Sequence, residues 1–124
     1  MFGNWQSHSD YQSFVLDELN KLKALHSTNL KKYQEGISKL YLLNLDVIKD
    51  LIAPLFSHTG RPSGFQAQIF RSFVLMNHLH IYSITRWCRF ELPNDPILCA
   101  AIGVTPDSIP SVGSHYDFID RLIP

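Results

Sequence analysis

A large net charge of either sign is missing from this chain: 11 lysines and arginines face 11 aspartates and glutamates in 124 residues. This excludes the strongly basic composition usual for domains held on nucleic acid by bulk charge. Cysteine is scarce too, with only Cys88 and Cys99. Two cysteines make no disulfide framework and suit a reducing compartment, although a single pairing between them stays open. They also lack the Cys-x-x-Cys spacing of a zinc knuckle. No apolar run reaches the roughly 18 residues needed to cross a bilayer, and the first residues show no basic-then-apolar leader. The expectation is a cytoplasmic chain. Glycine-rich phosphate loops, Gly-x-Ser-x-Gly, His-Glu-x-x-His and nucleotide fingerprints are all absent, so no metal, cofactor or small-molecule substrate is expected.

What is present is ordinary globular composition, with 45% hydrophobic and 18% charged residues. The length fits one core. The zero net charge hides a segregation: all six lysines precede residue 50 and all five arginines follow residue 60. Four of those arginines, Arg61, Arg71, Arg86 and Arg89, lie before Leu92 against Glu91 alone, whereas the stretch after Leu92 sets Arg121 against four aspartates.

Apolar spacing predicts helices throughout. Tyr11, Phe14, Val15, Leu19, Leu22 and Leu25 are expected to share a face, with Ser9 or Asp10 as the cap. A second helix is expected over about 29–43, weakened by about 1 kcal/mol at Gly36. A third is expected over about 45–56, ended or kinked by Pro54. Residues 57–64 are rich in turn formers. The following stretch, to about Tyr82, is apolar nearly all round and predicts a central buried helix. Its Phe70, Phe73, Val74 and Leu79 are expected to form the core with Trp87. Ser83 can cap a helix to Leu92. Asn94-Asp95-Pro96 opens another, which Gly103 closes. Ser114 to Asp117 has the spacing of a capping box before a last helix. No segment alternates long enough to make a strand. The expected fold is an all-α bundle of six or seven helices with a helix-turn-helix-like pair, divided into amphipathic helices over 1–44 and a helical domain over 45–124.

Several motifs of the second part occur together: Gly60-Arg61-Pro62, Arg71 to Met76, Ser83 to Trp87, Gly103 to Pro106, and Pro110 to Leu122 with its Val-Gly-Ser-His-Tyr-Asp-Phe core. In this order they resemble the N-terminal, non-catalytic region of bacterial insertion-sequence transposases of the DDE type, over roughly residues 45–124. His115 stands where that family usually has an aromatic residue. The resemblance implies a region that recognises the terminal inverted repeats of a mobile element, or pairs two transposase subunits as a homodimer. It also implies a truncated chain, since the family's catalytic core would lie downstream of Leu122.

Arg86 and Arg89, three apart, are expected to share a helix face, where planar guanidinium forks suit phosphate oxygens and guanine edges; the rival reading is a solvated face with a salt bridge to a nearby carboxylate. Arg61 and Arg71 complete the candidate DNA contacts, and for Arg61 a structural tie to an acidic residue of the last helix is the slightly favoured reading. His78 and His80 diverge by about 200° on a helix and do not share one ion. A buried polar contact beside Arg71 is the expected role of His78. Asp117 and Asp120, on one short helix, do not reproduce an acidic catalytic triad. Asp117 is read as a cap and Asp120 as a partner of Arg121 or Arg61. The chain alone is expected not to cut or join DNA. The rival readings are a helical protein-interaction module, with its partner surface between Asp10 and Leu43, and a transposase remnant without function.

Overall fold

The computed structural model describes residues 5–55 and 65–122, and these are all-α. Helix α1 (His8–Leu22) is capped two to three residues earlier than its spacing suggested: Ser7 Oγ accepts from the Asp10 amide. The expected second helix is two, α2 (Ser27–Lys32) and α3 (Gln34–Leu42), broken at Tyr33. The break lets α3 press its glycine onto the next layer. A methyl on Gly36 would meet Leu75 Cδ1 at 3.0 Å and His78 Cδ2 at 3.1 Å. Beyond Asn44 a 3-10 turn (Leu45–Ile48), α4 (Lys49–Ile52) and a second 3-10 turn (Ala53–Leu55) follow, with Pro54 inside the last.

Helix α5 (Gln66–His78) ends four residues short of the expected Tyr82. His80 takes the left-handed conformation (φ 59), its amide bonds the Asn77 carbonyl, and the Ile81 amide reaches back to Met76. This paired closure is normally built on glycine. Ser83 Oγ then accepts from the Arg86 amide and starts α6 (Ile84–Arg86). Without a break α6 widens into a π turn (Trp87–Glu91), marked by the Leu92 amide bonding the Trp87 carbonyl. Asp95 Oδ1 caps α7 (Pro96–Ile102) by accepting from Ile97, and Gly103 (φ 94) closes it. The last helix, α8 (Val112–Leu122), starts before the expected capping box: Ser111 Oγ accepts from the Ser114 amide. Asp117 is therefore a mid-helix residue, 2.8 Å from Arg121 Nε.

The buried centre is α7, not α5. All six residues from Ile97 to Ile102 are buried, enclosed by α1, α3 and α5. Its Ile-Leu-Cys-Ala-Ala-Ile run is small enough to admit neighbours on every side. Helix α5 instead turns Gln66, Ala67, Ile69, Arg71, Ser72, Leu75 and Met76 inward and leaves Phe70, Phe73, Val74 and Leu79 half-buried, so of the expected core set only Trp87 is fully buried. Tyr11, Val15, Ile37 and Leu40 from the first 44 residues share one core with Leu75, Trp87 and α7. A smaller cluster joins Ile52, Ile69 and Phe118. Among the described residues no helix is long and apolar enough to cross a membrane.

Candidate nucleic-acid interface

Of the four arginines singled out, Arg61 lies outside the described residues. Arg71 is fully buried. Its guanidinium stacks 3.6 Å from the centre of the Tyr11 ring, and Nη1 donates to Gln6 Oε1 at 2.5 Å. Nε and Nη2 are buried without a hydrogen-bond partner. Burial lowers its pKa to about 10, which leaves it a cation at neutral pH. Arg71 thus has no exposed face for a phosphate, because its place on α5 points it at the α1–α7 contact. His78 likewise misses the expected role beside Arg71. It is half-buried against Gly36, with Nδ1 3.4 Å from Lys39 Nζ.

Arg86 and Arg89 are exposed on the segment after the α5 turn. Arg86 Nε binds Glu91 Oε1 at 3.1 Å. In a regular α-helix, residues five apart point about 140° away from each other. The wider π turn brings this pair together, and such turns recur at functional sites. Arg89 pairs with no carboxylate among the described residues. It borders a cavity of about 400 Å³ with Cys88, Pro93, Pro106 and the Ser111–Gly113 start of α8. Tyr82 and Phe90, 74% and 61% exposed, flank the two arginines in sequence and add exposed aromatic surface.

Behind this surface runs a buried polar chain that the sequence reading missed. Trp87 Nε1 donates to Ser72 Oγ at 2.7 Å, and Ser72 Oγ lies 2.8 Å from His115 Nε2. His115 Nδ1 is 2.9 Å from the Ser111 carbonyl and 3.3 Å from Cys88 Sγ. The carbonyl only accepts, so Nδ1 carries the proton. Nε2 is then the acceptor for the Ser72 hydroxyl, and every hydrogen in the chain is assigned with a neutral imidazole. Burial lowers the His115 pKa, and the Ser111 carbonyl opposes the shift only in part. Burial also pushes the Cys88 thiol up to about 11, which keeps it protonated and unreactive. Both cysteines are free, and Cys99 Sγ donates to the Leu92 carbonyl. The one signal in the sequence was His115 itself, a polar residue where the family that the chain resembles usually has an aromatic.

Comparison of the chain with protein-family models, curated proteins and solved structures gives no match.

Proposed function

We propose that this chain is a cytoplasmic DNA-docking and assembly domain of the kind found at the front of DDE transposases, non-catalytic by itself, that meets duplex phosphates through Arg86 and Arg89. The observation that carries this reading is the solvent-facing side of the Tyr82–Phe90 segment, where Arg86, Arg89 and Phe90 stand on a short helical stretch and Tyr82 on the tight turn that joins it to α5. A helix presented after such a turn is the usual way to enter a major groove. Arg71 is no longer among the proposed contacts.

Fluorescence anisotropy tests the proposal, with a terminal-repeat duplex of the parent element beside a scrambled one at several salt concentrations. With two phosphate contacts the log–log salt slope should be about −2, at roughly 0.9 per neutralised phosphate. Replacing both arginines by alanine should abolish binding. Binding indifferent to that change would overturn the proposal, and equal affinity for the two duplexes would remove end recognition from it. Addition of magnesium or manganese should give no strand cleavage.

A further inference from the structure

Helices α1, α2 and α3 leave a trough between them. Two adjoining hollows of about 410 and 320 Å³ share Leu19, Ile37 and Ser38, and so form one channel along α1. Leu16 and Leu42 stand in the wall at one end, 57% and 75% exposed. Leu30 and Lys31 stand at the other. The backbone of all three walls is helical, so its amides and carbonyls are already bonded within each helix. An incoming strand would find no ladder to join, whereas a helix brings its own backbone satisfied and offers an apolar stripe. Helix α1, at fifteen residues, is about 22 Å long and matches a partner of three to four turns.

Charge decides which helix. The two hollows are lined by no aspartate or glutamate, but by Lys31, and Lys23 follows Leu19 by one turn on the same face of α1. Neither lysine pairs with a carboxylate among the described residues, whereas Lys21 is held by Glu18 at 3.3 Å. A second copy laid over the trough would bring the same lining, with no aspartate or glutamate for these lysines, so self-pairing is disfavoured. We propose that the α1–α3 trough docks an amphipathic helix of another protein, with leucine-type anchors between Leu16, Leu19 and Leu42 and an acidic flank over Lys23 and Lys31. The trough shares no residue with the Tyr82–Phe90 surface and stands whether or not that surface binds DNA.

The test is titration of the full chain into a labelled helical peptide of roughly 18 residues, five turns long, with leucines at heptad a and d positions and glutamates on one flank. A sister peptide carries lysines on that flank. The glutamate peptide should bind at least about tenfold more tightly than the lysine peptide. Leu16→Glu and Leu42→Glu should each weaken it by about tenfold, and the double variant Lys23→Glu, Lys31→Glu should reverse the preference between peptides. All four positions are exposed, so unchanged melting temperatures will separate lost docking from lost folding. Absence of binding, equal affinity for the two peptides, or an unreversed preference in the charge-swapped variant would overturn the proposal. So would a dimer in sedimentation velocity that Leu16→Glu dissolves, because the occupant would then be a second copy.

Discussion

At Arg71 the cation is held by the Tyr11 ring and one amide oxygen, with two of its nitrogen donors unpaired. Its role is to pack α5 against α1. Arg71→Ala should therefore lower stability by about 3 kcal/mol, from the cavity and the lost cation–π contact, and leave the salt slope of DNA binding unchanged in the folded fraction. Denaturant unfolding beside anisotropy checks both. A change in slope would put Arg71 back among the phosphate contacts. His115 makes a pH-dependent contribution of definite sign. Its folded pKa lies below the unfolded value of about 6.5, so the unfolded chain takes up the proton first as pH falls. The stabilisation is complete above about 6.5 and is lost as pH falls through that value toward the folded pKa. The groups facing the ring are Ser72 and Phe73 from α5, Cys88 from the π turn, and the Ser111 carbonyl, none of them an anion. Urea midpoints at about pH 7.5 and 5.5 should differ in the wild type, and the difference should shrink in Ser72→Ala, His115→Phe.

Two helices end in the same left-handed closure on different residues. At Gly103 a side chain is excluded twice over, by φ 94 and by Gln6 Oε1, which would lie 2.5 Å from an added Cβ. Gly103→Ala should cost about 1–2 kcal/mol. At His80 the same conformation carries a side chain that is exposed and, among the described residues, bonded only to the Tyr82 hydroxyl, at 3.1 Å. His80→Gly should raise stability by up to about 1 kcal/mol, seen as a higher melting temperature. Opposite signs at the two positions are the expected outcome, and a loss at His80 would show that the Tyr82 contact outweighs the backbone strain. The stakes reach beyond stability, because the His80 turn sets the angle between α5 and the segment bearing Arg86 and Arg89.

Across the whole molecule, zero net charge leaves little long-range pull on DNA, so binding rests on local contacts and a local carboxylate matters. Glu91 sits 3.1 Å from Arg86 and competes directly with a phosphate for it. Glu91→Gln should strengthen duplex binding about three- to tenfold at low salt, and the gain should fade as salt rises. Weaker binding in this variant would mean that Glu91 orients Arg86 for its contact. The aspartates that follow Leu92 add a repulsive field, so one face of the molecule should carry the contact, and crowding of two chains on a short duplex should be slight.

The sequence by itself determined the all-α class and the ends of several helices, because those depend on neighbours a few residues away. Asp95 and Pro96 open α7 and Gly103 closes it, Ser83 starts α6, and Pro54 lies where α4 gives out. The exposed arginine pair was also legible as a locus, with a salt bridge to a nearby carboxylate as its rival reading, and the π turn makes Glu91 the partner of Arg86. Only the tertiary structure decided which side of α5 faces inward. A helix apolar nearly all round gives periodicity no preferred face, and the choice fell to partners distant in the chain. Gln6 and Tyr11 drew in Arg71, while Trp87 and His115 drew in Ser72. Burial of those polar groups is tolerable only where partners from other helices meet them, and that meeting is a property of the fold rather than of any local stretch.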